Sequence, residues 1–319
     1  MFSKLIHLSV ISIFLLLVII SACTKDESEK SLKEKNTIAL ISEISSDTLK
    51  SYVRWLESMG TRFTLADNHL QVAMAIREKF RSLGYTDAKL DTFMIKVTYK
   101  TKSYIQYQYN VMASITGSEY PDSLTIIGAH YDNILSASSG DPFVVAYGAN
   151  DNASGVAAVI EIARVMKKTK YKPSGTVLFV TFAAEELGLF GSYYHADCAM
   201  RNFLKIKFML NNDMIAYQPY NDQSNWYVTI ADYNNSTSIR YRAQELSMKY
   251  TFLKCKNDNT YQKQSDSYPY FLKGFKAIFF SSNVFDPNYH TLNDVSAACN
   301  FEYCKEIVKL NCSIIADRN

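Results

Sequence analysis

Asp151 lies in Gly148-Ala149-Asn150-Asp151-Asn152-Ala153-Ser154-Gly155, between a short apolar run and a small-residue turn that opens a helical pattern. Other side chains of metal-binding type sit in comparable places. His130 ends the apolar run from Leu124 to Ala129, with Asp132 two residues on. Glu185 and Glu186 follow Val177 to Phe182, Asp213 follows Phe208 to Leu210, and His290 follows Asn288-Tyr289. Two imidazoles and three carboxylates form a hard-to-borderline donor set. It suits zinc, with manganese or cobalt as substitutes. Two ions roughly 3.5–4 Å apart can share one carboxylate and clamp a water between them. One glutamate of the pair can bind metal while its neighbour takes a proton from that water. Asp132, two residues from His130 along a strand, can accept the imidazole N–H opposite the metal and fix its tautomer. Taken singly, each residue has a plainer reading. Asp151 can be a helix N-cap, and a Glu pair is usually a solvated helix start. His69 and His195 lie on helical stretches without an acid pattern and are read as structural.

The elements that must position these groups follow from pattern. Ser46 and Asp47 are expected to cap a first helix reaching about Ser58. Asp67 to Leu83 reads as a second helix, ended by Gly84. Ala88 to Thr98 and Ser103 to Ile115 read as paired strands. Leu124 to Ala129 and Val177 to Phe182 are short apolar runs, read as buried strands. Asn152 to Lys168 presents Val156, Val159, Ile160, Ala163 and Val165 as a helical face. Further along, Phe190 to Ala199, Ser236 to Tyr250 and Asn300 to Ala316 read as helices. Lys207 to Asn211, Trp226 to Ile230 and Ala277 to Ser281 read as strands. This alternation predicts an α/β sandwich with a largely parallel centre. In such sheets, sites form at strand ends.

The 319 residues are 48% hydrophobic, enough for one large domain with a substantial core. Lys and Arg number 34 against 31 Asp and Glu. No basic stripe with interleaved aromatics marks a nucleic-acid partner. At the N-terminus, Lys4 precedes a mostly apolar stretch from Leu5 to Ile20, closed by Ser21-Ala22-Cys23. This resembles a bacterial lipobox, with residues 1–22 as signal peptide and Cys23 as the lipidated first residue of the mature chain. Residues 23–44 are expected as a polar linker, and residues 45–319 as one catalytic domain. The expected location is the cell envelope, anchored by lipid, at the outer membrane. Excluding Cys23, five cysteines remain, an odd number. No CxxC pair is present, so a thiolate zinc site is not expected and no disulfide is assigned.

From about Ser51 onward the chain resembles the co-catalytic zinc exopeptidases, the family of bacterial leucyl aminopeptidase, aminopeptidase Y and glutamate carboxypeptidase. The matching motifs are Gly128-Ala129-His130-Tyr131-Asp132, the Asp151 segment, Ala184-Glu185-Glu186-Leu187-Gly188, Asn212-Asp213-Met214, and Tyr289-His290-Thr291 with Asp294. The resemblance implies a three-layer α/β sandwich around a mixed, mostly parallel sheet. It also implies two zinc ions: His130 and Asp213 on one, Glu186 and His290 on the other, Asp151 bridging. It makes Glu185 the general base and Asp132 the group that orients His130. A cis peptide is expected at Asp151–Asn152. Ser267 stands where relatives often carry His.

The implied activity is aminopeptidase action on peptide N-termini. A single-zinc glutaminyl cyclase or a carboxypeptidase of the same fold are the competing enzyme readings. An inactive binding lipoprotein is the alternative of another class.

Overall fold

A computed structural model describes residues 30–319. The signal segment, Cys23 and residues 24–29 lie outside the described residues. Helix α1 spans residues 30–42. The stretch expected as a polar linker is therefore largely helical, because Leu40, at 0% exposure, gives that helix an apolar residue to bury. Among the described residues, no helix is long and apolar enough to cross a membrane.

Eight strands form one sheet in the order β1-β2-β4-β3-β5-β8-β6-β7. Strands β1 (Lys89–Tyr99) and β2 (Lys102–Ile115) pair antiparallel, as their alternating patterns predict. Strands β3 (Tyr120–His130), β4 (Gly175–Phe182), β5 (Lys205–Asn212) and β8 (Ala277–Ser282) form the parallel centre. Strands β6 (Tyr227–Asp232) and β7 (Lys254–Lys256) finish the far edge.

Helices cover both faces. One layer holds α2 (Ser46–Glu57), α3 (His69–Ser82), α4 (Ser154–Lys168), α6 (Thr237–Tyr250) and α8 (Phe301–Arg318). The other holds α5 (Phe190–Arg201) and α7 (Ser267–Leu272). Strand β4 shows why an unbroken apolar run becomes a central strand. Val177 and Phe179 pack into the first layer, and Leu178, Val180 and Phe182 into the second. Each such side chain contributes about 1.5–3 kcal/mol by leaving water. Helix α4 lies between the sheet, α2 and α8, and is buried nearly all round. Its single deep charge, Glu161, pairs with Arg164 at 2.7 Å and accepts the Ser45 N–H at 2.9 Å. Ser45, one residue before the expected cap, closes the N-terminus of α2 by accepting the Thr48 N–H.

Candidate metal centre

Register brings the site together. His130 is the last residue of β3 and pairs with Phe182 of β4, while Gly128 pairs with Asn211 of β5. Glu185, three residues past Phe182, and Asp213, two past Asn211, therefore leave the sheet along the same ridge as His130. Asp151 stands just before the first turn of α4, where the helix dipole favours a negative charge. That helix approaches the sheet closely at Gly155. A Cβ there would collide with the Asn212 carbonyl and with Asn152 Oδ1. The Asp151–Asn152 peptide is cis, as the resemblance implied. His290 comes from the loop after β8. Ala184, Leu189, Met214 and His290 all adopt left-handed backbone conformations. Such residues cost of order 1–3 kcal/mol each and cluster where a site needs side chains aimed.

The distances divide the donors into two sets that share Asp151. Its Oδ1 lies 3.3 Å from His130 Nε2, and its Oδ2 lies 3.1 Å from His290 Nε2. His130 Nε2 is also 3.4 Å from Asp213 Oδ1, and His290 Nε2 is 3.1 Å from Glu186 Oε2. Of the three groups of donors close enough to hold an ion, two share Asp151: His130, Asp151 and Asp213; and Asp151, Glu186 and His290; the third is His130, Glu185 and Glu186. Glu185 Oε2 stands 3.9 Å from His130 Nε2. Among the described residues, the buried Glu186 Oε1 and His290 Nε2 lack a hydrogen-bond partner of good geometry. Buried polar atoms left this way call for an unseen ligand. A pair of divalent cations fits.

The site is strongly acidic and closed to water on its inner side. Burial pushes the Glu185 carboxyl well above the usual range. His130 opposes that shift, while Glu186, Asp213 and Asp266 add to it. Glu186 is raised to about 7, by burial first and then by Asp151. Burial works against charge on His290, yet the adjacent carboxylates of Asp151 and Glu186 hold it at about 10. His130 likewise stays well above its ordinary value despite burial, through Glu185 and Asp213. Both imidazoles are held by the negative charge that would otherwise hold cations. The outer side opens past His290, on whose ring Tyr289 stacks at 3.7 Å with 20° between planes.

A buried frame supports these ligands. The Asp132 carboxylate accepts the N–H groups of Glu185 at 3.0 Å and Glu186 at 3.2 Å, and the Thr64 hydroxyl at 2.7 Å. His130 Nδ1 meets the main-chain carbonyl of Asp132 at 3.1 Å, with the carboxylate Oδ1 at 3.6 Å. Both the carbonyl and the carboxylate of Asp132 thus face the His130 ring, while the carboxylate also serves the glutamate turn. Asp294 accepts the N–H of Asn150 at 2.7 Å and of Asp151 at 3.0 Å. Asn152 Oδ1 accepts from Gly155 N at 2.9 Å and Met214 N at 3.3 Å, tying the Asp151 turn to the end of β5.

Sequence reasoning brought His130, Asp132, Asp151, Glu185, Glu186, Asp213 and His290 to attention, and all seven meet here. It missed Arg62. That side chain is 1% exposed, and its guanidinium donates to the carbonyls of Tyr131, Leu56, Tyr147 and Gly148. No local pattern marks it. The segment that carries Ser267 also brings Ser265, which donates to Asp213 Oδ2 at 2.7 Å, and Asp266, fully buried nearby, neither of which the motif alone assigned a role. Ser267 turns away from the centre. Its hydroxyl lies 2.9 Å from that of Tyr233, and both are buried. His69 bonds the carbonyls of Ala66 and Tyr107, and His195 meets the Tyr270 hydroxyl, so both are structural, as expected. The five cysteines among the described residues are all free thiols.

The sequence model of peptidase family M28 matches residues 110–315, well over half of the chain. A probable zinc metalloprotease of Pyrenophora teres is 32% identical over 203 residues, covering 59% of this chain and 42% of that protein. The chain thus spans less than half the length of that curated relative. Among solved structures, the LapA aminopeptidase of Legionella pneumophila superposes with a TM-score of 0.73 at 22% identity, over 88% of this chain and 73% of that one. A glutaminyl cyclase of Bacteroides thetaiotaomicron superposes with a TM-score of 0.70 at 18% identity, over 87% of this chain and 99% of that one. Both share the mixed sheet flanked by helices.

Proposed function

The chain belongs to peptidase family M28, and on that premise we propose that it is a two-zinc aminopeptidase acting on peptide N-termini. One observation carries the reading. The two oxygens of Asp151 face two different imidazoles, at 3.3 Å and 3.1 Å, as a carboxylate shared between two ions must. His130 and Asp213 would hold one zinc, Glu186 and His290 the other. Zinc bound there supplies Lewis acidity toward the scissile carbonyl and toward water.

The remaining steps belong to the side chains. Glu185 takes a proton from the attacking water on its carboxylate and returns it to the leaving amine. The Asp132 carboxylate holds the Glu185 and Glu186 N–H groups, which aims one glutamate at water and the other at metal. A C-terminal carboxylate would need a cation, and the guanidinium of Arg62 is spent on backbone carbonyls. This favours an aminopeptidase over a carboxypeptidase. The complete donor set likewise favours an enzyme over a binding lipoprotein.

The Leu5–Ile20 segment and Ser21-Ala22-Cys23 support export and lipid anchoring at Cys23, with the enzyme held at the outer membrane of the cell envelope.

The test is a panel of aminoacyl fluorogenic substrates with and without chelator, beside an N-terminally glutaminyl peptide, with elemental analysis of the same protein. Two zinc per chain and chelator-sensitive release from aminoacyl substrates are expected. One zinc with cyclisation of the glutaminyl peptide, or no chelator-sensitive release at all, overturns the reading.

A further inference from the structure

Parallel strands place their starting ends together, opposite the metal centre. Four helices, α3, α4, α5 and α7, end with one motif. The residue after the C-cap donates its N–H three residues back, and the next residue donates five back. The pairs are Gly84 and Tyr85, Lys170 and Tyr171, Phe203 and Leu204, and Gly274 and Phe275. In each, the first residue takes a left-handed conformation, with φ +89° at Gly84, +54° at Lys170, +55° at Phe203 and +84° at Gly274. Glycine is the residue that motif favours, since it has no Cβ to strain. At α4 and α5 the position instead holds a lysine and a phenylalanine. A bulky residue in that conformation is an outlier.

Phe203 gains nothing from packing, because it is 89% exposed. Leu204 beside it is 39% exposed. Around this knob stand Lys170 and Lys172 before β4, Lys205 at the start of β5 and Lys276 before β8, all exposed. None of these four has an ion-pair partner among the described residues. Lys207 is part of the same end. Its proton affinity is lowered by burial and by neighbouring Lys33 and Arg318. The acids there include Glu119 and Asp122, Asp87 on the Ser114 hydroxyl and N–H, Asp197 paired with Arg201 and Lys273, and Asp317 paired with Arg242. Lys33, in the first turn of α1, lies beside Lys207, so the described residues begin at this end. Cys23 stands seven positions before residue 30 in the sequence.

We propose that the strand-start end of the sheet docks on an anionic lipid bilayer, with Phe203 entering the headgroup boundary and the four lysines meeting the headgroups. An exposed aromatic among lysines is the chemistry such a surface selects. Docking there turns the metal centre away from the bilayer toward soluble peptide. The inference does not depend on the peptidase reading, and it goes beyond an anchor at Cys23, which would tether the chain without orienting it.

The test uses the full chain carrying Phe203→Trp, with vesicles of phosphatidylcholine alone or with added phosphatidylglycerol. With the anionic lipid, emission from the new tryptophan should shift blue and be quenched by brominated acyl chains, and high salt should reverse both. Combined Lys170→Glu, Lys172→Glu and Lys205→Glu should weaken partitioning by at least a hundredfold, since each lysine near such a surface is worth about fivefold. Phe203→Gly should weaken it too, while leaving thermal stability equal or higher. A structural role for Phe203 predicts the reverse. A residue 203 that stays in water on anionic vesicles holding the full chain overturns the proposal, because a bare tether gives that result. So does a Phe203→Gly variant that is destabilised yet binds unchanged.

Discussion

The carboxylate of Asp132 accepts the backbone N–H of Glu185 at 3.0 Å, two residues past the strand that ends in His130. One aspartate thereby joins the ends of β3 and β4. Its carbonyl orients an imidazole, and its side chain shapes the turn that presents two glutamates.

Asp132→Ala removes the acceptor for two N–H groups of that turn, those of Glu185 and Glu186, and for the Thr64 hydroxyl. Metal affinity should fall about 10–100-fold, the usual effect of losing a group that orients ligands. Titration of the apo protein with zinc against a competing chelator measures it. Unchanged affinity would show that the turn holds itself.

Glu185→Gln keeps the size of the side chain but removes its basicity. Two metals per chain should remain, while kcat drops by about 10²–10⁴. A variant with wild-type kcat would remove Glu185 from the proton path.

Asp151→Asn leaves one oxygen where two are needed. Elemental analysis should find fewer than two zinc per chain, and chelator should strip the remainder faster. Full occupancy in this variant would count against a bridging role.

Arg62→Met leaves the carbonyls of Tyr131, Tyr147 and Gly148 buried without their donors. Each orphaned group costs about 1–3 kcal/mol. At roughly 2–4 °C per kcal/mol, the melting temperature should fall by about 10 °C or more. Arg62→Lys, which can reach fewer carbonyls, should fall in between. A melting temperature within a degree of wild type in the methionine variant contradicts this role.

His195 is held neutral. Burial lowers its pKa to about 4, and the Tyr270 hydroxyl lies 2.7 Å from its Nδ1. The unfolded chain binds this proton at about 6.5, so between those values the unfolded state carries more protons. Stability from this site is full above pH 6.5 and declines as pH falls toward 4, by up to about 3 kcal/mol. His195→Gln should flatten that part of the pH profile in denaturant melts. A profile equally steep in both proteins rejects the assignment.

The secondary structure was largely legible because it is local. The alternation in β1 and β2, the apolar runs of β3, β4 and β5, and the stripe on α4 each follow from burial of one or two faces. Residues 30–42, read as part of a polar linker, form a helix, because a polar helix with few buried positions, Thr37 and Leu40 among them, scarcely differs in pattern from a tether. The cap moved from Ser46 to Ser45 because the neighbouring serines are equally suited, and the bond to Thr48 chooses between them.

The sequence by itself determined where the metal-type donors lie: two histidines and the carboxylates of Asp151, Glu185, Glu186 and Asp213, each beside a strand or helix end. Residue type and local pattern suffice for that, since donor atoms and strand ends are properties of short segments. Tertiary structure alone decided how those groups divide around Asp151, that the Asp132 carboxylate serves the glutamate turn, and that Arg62 braces the frame. It also decided that Phe203 and four lysines share one end of the sheet. Those relations join residues far apart in the chain, such as Arg62 and Gly148, 86 positions apart. Register and packing set them, and no short stretch of chain encodes either.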